Sequence, residues 1–428
     1  MDNENPRHKK THVIGGGTVY HVRSHLALSA QAYGTTARKI ADICKRYDPS
    51  SEVVLHLTKM ASQGKGMLDT NSDVADLIKD LVGDTSTKTI YFSPALIDYS
   101  GHIMEKEIET SSGKYATRLQ TDVDDKPAIV LHASPKILGT IRKERKDIYL
   151  VGFKTTCNAS QDEQYLRGLD LLKKTSANLI LANDVYTRVN MIIAPEETRY
   201  HVTKNREDAL ENLVDMALQR SKLRFTRSTV VPGSPVSWDS PLVPSSLRAV
   251  VNYCIAKGAY KQFNGATAGH FAVKVDDKTF LTSRRKTDYN YLSKMGLVRV
   301  EARGPDEVIA YGSKPSVGGQ SQRIVFEEHQ GYDCIVHFHC PIKESSLVPR
   351  ASQREYECGS HECGQNTSRG LQRFGNLKAV YLDNHGPNIV FPASVDPGEV
   401  ISFIEKNFDL GQKTGGLFHD RASASGVL

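Results

Sequence analysis

Between Thr11 and about Arg227, short apolar runs alternate with helical patterns, and this alternation limits the fold more than any other feature of the sequence. The runs are His12 to Ile14, Val53 to Leu57, Thr89 to Phe92, Ile129 to Leu131, Ile148 to Phe153, Leu179 to Ala182 and Met191 to Ala194. Helical segments such as Ala37 to Tyr47 and Arg206 to Ser221 fall between them. Strand and helix in alternation predict a parallel sheet covered by helices on both faces, so the expected class is α/β. Four prolines in a Ser-rich stretch, Ser228 to Ser246, read as an interdomain linker. A second domain is expected over residues 247–410. It opens with a helix from Leu247 to Lys257, continues with strands near His270 to Val275, Thr279 to Leu281, Leu297 to Glu301, Val308 to Tyr311, Cys334 to His339, Ala379 to Leu382 and Asn388 to Phe391, and closes with a helix from Pro397 to Asn407. Residues 1–10 and the Gly- and Ser-rich residues 411–428 read as tails, the latter disordered.

A length of 428 residues accommodates two or three such domains. No apolar run approaches the roughly 18 residues of a membrane helix, and the polar start MDNENPRHKK lacks the apolar core of a signal peptide. A cytoplasmic protein without a membrane partner is expected. The formal charge of +6 is small for the length, and its cations are interspersed with acids, which gives nucleic acid binding little support. Seven cysteines with no CxxC frame fit reduced thiols better than a disulfide framework.

In the first half, VIGGGT ends a strand on Gly15, Gly16 and Gly17, followed by Thr18. Such a segment is either a tight turn or a loop whose backbone N–H groups approach a phosphate; it lacks the GxGxxG spacing of a dinucleotide site. Further along come Arg23 with Gly34, FSPALIDYSG, LVGFKT, KKTSANLILANDV, Asn190 and KNREDALENLVDMAL. In this order the blocks resemble phosphopantothenoylcysteine synthetase, the ligase half of the coenzyme A biosynthesis flavoprotein, over nearly all of residues 11–220. The resemblance implies a Rossmann-like domain that uses CTP, or ATP, to activate a carboxylate before an amine attacks. Gly15, Gly16, Gly17 and Thr18 would line the phosphates, and Asn178, Ala182, Asn183 and Asp184 would face the base and ribose. Two departures weaken the ligase chemistry: Ala27 stands where the family carries an asparagine, and Ser29 to Gly34 reads SAQAYG in place of SSGKMG. Asn178 replaces an aspartate, and an amide both donates and accepts. Lys154, Arg188 and Lys204 are phosphate candidates or solvated surface charges.

In the second half, IVHFHCP sets His337 and His339 two residues apart on a predicted strand, with both imidazoles on one face. His385, in LDNHGPNIVF, follows another predicted strand. Neutral imidazole is a common zinc ligand, and three histidines with an open fourth position describe a catalytic site. GHFAVKVDDKTFLTS, KPS, IVHFHCP and NHG together resemble class II aldolases and the related adducin-type fold over residues 245–410. The resemblance implies an α/β/α domain in which Zn2+, or another divalent metal, polarises a carbonyl or enediolate oxygen. The family's acid/base glutamate falls on Gly318, with Gln320 nearby; Glu327 and Glu328 follow on a helix and are either surface charges or substitutes. His270 occupies the family's phosphate-loop asparagine position, Ser316 belongs to the KPS turn, and Ser283, Arg284, Arg285 and Lys286 form a cationic turn that suits an anionic small-molecule substrate.

REYECGSHECGQNTSRGL gathers Cys358, His361 and Cys363. It reads as a second metal set, a reactive thiol, or a substrate loop that brings in Glu362 as acid/base. Gln320 and Glu362 are the catalytic candidates. Three functions compete: a bifunctional ligase and metal-dependent lyase; a single metal-dependent lyase or epimerase with a non-catalytic nucleotide-binding or oligomerising domain; and a non-catalytic assembly protein. Both resembled families oligomerise, so a homo-oligomer is expected.

Overall fold

A computed structural model describes residues 9–105, 108–109, 112–119, 127–304, 307–316 and 319–414. The chain divides into two compact units, residues 1–194 with 200–221, and residues 195–199 with 222–428.

The first unit is built on a seven-stranded sheet. Its order is Thr198–Thr203, Asn190–Ala194, Leu179–Asp184, Tyr149–Thr156, Thr87–Ala95, Lys10–Gly17 and Glu52–Leu57. The pairings from Leu179–Asp184 to Glu52–Leu57 are parallel, and Asn190–Ala194 joins Leu179–Asp184 antiparallel. Val13, Tyr91, Tyr149, Val151, Leu179, Leu181 and Ile192 point to one face, where they pack against helices Thr35–Tyr47 and Arg206–Arg220. The intervening Ile14, Ile90, Leu150 and Ile180 are equally buried, as the period of two requires when both faces are covered. Helix Gln161–Thr175 lies on that second face, where Gly168 approaches the side chains of Ala182 and Ile193. The unit is α/β and Rossmann-like. Ile129 to Leu131 belong elsewhere: Ala128–Ala133 forms a separate three-stranded antiparallel sheet with Tyr99–Glu105 and Ile108–Glu109, and all six of its residues are exposed.

The second unit holds a ten-stranded, mostly antiparallel sheet. From one edge the strands run Arg227–Val231, Glu307–Tyr311, Val298–Ala302, Thr279–Thr282, His270–Lys274, Cys334–His337, Gly386–Phe391, Leu377–Leu382 and Arg350–Ala351, with Gln372–Phe374 paired to Leu377–Leu382. Helices Ser245–Ala256 and Pro397–Asn407 cover the face formed by Phe271, Val273, Cys334 and Val336. Val325 and Phe326, from helix Gly319–Glu328, cover the opposite face over Ala272 and Ile335. This gives an α/β/α sandwich. The stretch expected as a linker is part of this unit: residues 227–231 form the edge strand, and Trp238 and Val243 are core residues. Gly411 to Thr414, expected to open a disordered tail, include buried Lys413 and Thr414.

Candidate metal centre

His337 is the last residue of strand Cys334–His337, and its neighbour across the ladder is His270. Phe338 turns to the opposite face and is fully buried, packed against Phe408 and Tyr260, so His337 and His339 share one side. His339 lies beyond the strand end, which differs from the predicted strand through residue 339. His385 sits in the turn before Gly386–Phe391, the strand paired to Cys334–His337. The turn presses so close that a Cβ on Gly386, at φ 151°, would collide with Phe338 O and lie 3.3 Å from His339 Cα. Only glycine fits there.

The three histidines are buried, and ligand atoms from each lie within 4.8 Å of one another. His337 Nδ1 lies 2.8 Å from Pro387 O, a pure acceptor, so it carries the proton and leaves Nε2 as the coordinating nitrogen. That Nε2 is 3.2 Å from His385 Nε2, close to the roughly 3.3 Å between two nitrogens at ~2.05 Å from a tetrahedral ion. Burial pushes the His337 pKa down to about 4, so the ring is neutral, the form that binds metal. The residues present fit a divalent cation. Among the described residues they are also the group of His, Cys, Asp or Glu side chains able to hold one.

His270 and the turn candidates gather at the same end of the sheet. The ring of His270 packs on that of His337, with centroids 4.8 Å apart. Its Nδ1 contacts the Gln322 amide at 2.5 Å, and the other end of that amide meets Thr282 Oγ1 at 3.0 Å. Burial holds the His270 pKa well below its ordinary value. Ser283 N donates to Phe271 O and Ser316 N to Ser283 O, which brings both serines beside the His270 strand. Arg284 donates to Met295 O, and Arg285 is exposed.

Other candidates are placed differently. Gly318 and the side chain of Gln320 lie outside the described residues. Glu362 is no loop residue: it stands in the first turn of helix His361–Gly370, its carboxylate accepting from Arg224 N at 3.0 Å and Arg224 Nε at 3.1 Å. His361 contacts Thr226 Oγ1, and Gln353 reaches Cys363 Sγ, so these side chains knit the helix start rather than form a second metal set. Glu327 pairs with Arg323, and Glu328 accepts from Ser368.

In the first unit the glycine triplet is the end of strand Lys10–Gly17 and packs against the chain itself. A Cβ on Gly15 would meet Ala37 Cβ, on Gly16 Thr58 Oγ1, and on Gly17 Ala30 O. The three positions are therefore packed too closely for any side chain. Thr18 Oγ1 donates to Asn71 Oδ1 and accepts from Ile97 N. Asn178 precedes strand Leu179–Asp184, at the end of the sheet opposite the glycines, where its Oδ1 accepts from Leu150 N and Arg142. Ala182 is fully buried within that strand. Asp184 accepts from Thr156 Oγ1 and from the N–H groups of Asn158, Ala159, Tyr186 and Thr187, and these bonds outweigh burial to hold its carboxyl far below the usual range. It anchors the turn that follows the strand. Asn183, half-buried beside Thr155, alone of the four stays partly accessible at the strand's C-terminal end.

Sequence reasoning did not find Gln322, and it took Gly386 only as part of the NHG block, without its packing role. A glutamine on an amphipathic helix and a glycine after a histidine carry no distinguishing local signal.

Residues 249–343 match the family described as the class II aldolase and adducin N-terminal domain. The matched residues lie within the second unit. No curated protein matches the chain. Among solved structures, the DNA/pantothenate metabolism flavoprotein from Streptococcus pneumoniae is similar at 20% identity and TM-score 0.41, over 48% of this chain and 97% of its own. The C-terminal domain of the coenzyme A biosynthesis bifunctional protein CoaBC is similar at 15% identity and TM-score 0.35, over 49% and 94%. L-fuculose 1-phosphate aldolase is similar at 17% identity and TM-score 0.30, over 38% and 82%. Among the described residues no helix is long and apolar enough to cross a membrane.

Proposed function

We propose that the chain is a metal-dependent enzyme of lyase or epimerase type, with a divalent ion, zinc by preference, on His337, His339 and His385, and a small anionic substrate. The observation that carries this reading is the convergence of three buried imidazoles, one with its tautomer fixed by Pro387 O. Bound there, the metal would supply Lewis-acid stabilisation of charge developing on a substrate oxygen. The chain's own residues do the rest: Pro387 O orients His337, and Gln322 orients His270 beside it. In this reading the first unit is a Rossmann-like scaffold, not a working ligase. The engaged side chains of Asn178 and Asp184 support that choice over a bifunctional enzyme. A homo-oligomer belongs to the same proposal, and sedimentation velocity tests it.

X-ray absorption at the zinc edge of the reconstituted protein tests the centre. Three imidazole nitrogens near 2.0 Å are expected; a sulfur shell, or an oxygen-only shell, would refute the ligand set. Calorimetric titration with CTP and ATP tests the scaffold reading, and tight binding of either would restore the nucleotide-dependent alternative.

A further inference from the structure

Of the metal-ligand candidates, His337 lies in the sheet and His385 in the tight turn between two of its paired strands, but His339 has neither support. It lies past the end of strand Cys334–His337, where the ladder to Gly386–Phe391 has stopped. Its backbone is held from elsewhere. Residues 407–414 return alongside residues 339–343: Lys343 N donates to Asn407 O, Ile342 bridges Phe408 antiparallel, Asp409 N donates to Pro341 O, and Thr414 N donates to His339 O at 3.0 Å.

This returning segment is anchored at several points. Phe408 is buried against Phe338, the residue between the two ligands, with ring centroids 5.8 Å apart. Lys261 Nζ donates to Leu410 O at 2.6 Å. Lys413 forms a buried ion pair with Glu197 at 2.7 Å, one residue before Thr414. A buried charge pair is costly unless its geometry is fixed, so this one pins the chain next to the bond that reaches His339.

We infer that residues 408–414 are a positioning strap for the metal centre, and that the Thr414 N–H, through the His339 carbonyl, sets the direction in which that imidazole approaches the ion. The inference rests on the metal reading above and adds to it a distant backbone donor, about 75 residues along the chain from the ligand it orients. Removing a hydrogen bond that orients a ligand typically lowers metal affinity 10- to 100-fold. Because the donor is a backbone group, side-chain changes at Thr414 leave it intact, and only proline removes it.

Zinc affinity of full-length Thr414→Pro, Thr414→Ala and Lys413→Met, measured by competition with a chromophoric chelator, tests the strap. Thr414→Pro is expected to bind zinc about tenfold or more weakly, and Thr414→Ala within about twofold of the parent. Lys413→Met loses an anchor of the strap but keeps the Thr414 N–H, so its zinc affinity is expected to fall less than that of Thr414→Pro. Equal affinities for Thr414→Pro and the parent overturn the inference. Amide exchange of the metal-free proteins supplies a readout independent of zinc. Faster exchange across residues 338–343 in Thr414→Pro supports the strap even if the parent binds no zinc, an outcome that would count only against the metal reading. Unchanged exchange there rejects the strap.

Discussion

Replacing Gly17 by alanine separates a structural glycine triplet from a phosphate-binding one. The φ of Gly17 is ordinary, so alanine meets no backbone penalty, only crowding. Its Cβ would overlap Ala30 O and stand 2.7 Å from Met60 Sδ and 2.8 Å from Ala32 N. The sulfur can swing away, but two of the three obstacles are backbone atoms, and Gly17 N itself donates to Ala32 O at 2.7 Å. The facing segment must therefore retreat and stretch that bond. Overpacking of this kind costs about 1–3 kcal/mol, sometimes more. For a unit of roughly 200 residues, each kcal/mol moves the melting temperature by about 2–4 °C, so a fall of about 2–12 °C is expected. Differential scanning calorimetry of the variant and parent, with and without CTP or ATP, measures it. An unchanged melting temperature in Gly17→Ala, together with loss of nucleotide-dependent stabilisation seen in the parent, would show that the space is open to ligand and refute the packing described here.

Other consequences follow from the same contacts. Asp184→Ala strips an acceptor from four backbone N–H groups and one hydroxyl, and its melting temperature should fall well below that of Asn183→Ala; equal melting would mean the turn does not depend on the carboxylate. His12 is packed against His56 and Thr87, with Asp84 and Lys10 nearby, and burial lowers its pKa from the ordinary 6.5 to about 4. The folded state therefore binds that proton more weakly than the unfolded chain. Its contribution is intact above pH 6.5 and is lost as the pH falls towards 4. Urea unfolding at stepped pH should show a shallower acid loss in His12→Gln, and an identical slope would contradict the assignment. Gly386→Ala should weaken zinc binding by displacing Phe338 and His339, a change the chelator competition detects.

Much of the architecture was legible because it is periodic. The apolar runs of the first half became strands, and the two-residue spacing of His337 and His339 placed both on one face even though the strand stops between them. The third ligand was legible as a histidine at a strand end. What the sequence hid is what depends on register and on remote approach. Asn178 precedes one strand and Asp184 ends it, so two residues close in the chain stand about 20 Å apart at opposite ends of the sheet. A glycine triplet looks the same whether a phosphate or Ala30 O fills its space. Prolines at Pro232 and Pro235 suggested a linker, yet they follow an edge strand whose pairing to Glu307–Tyr311 no local pattern encodes. Glu362 reads as an available acid in the sequence, whereas in the fold its carboxylate is bound by Arg224.

The central claim is that His337, His339 and His385 hold a metal ion. Elemental analysis of the purified protein, alongside His337→Ala and His385→Ala, tests it most directly. Stoichiometric zinc, or another divalent metal, in the parent and its loss from both variants is the predicted result. A parent free of divalent metal in every preparation and after reconstitution, or variants that retain it in full, would contradict the account.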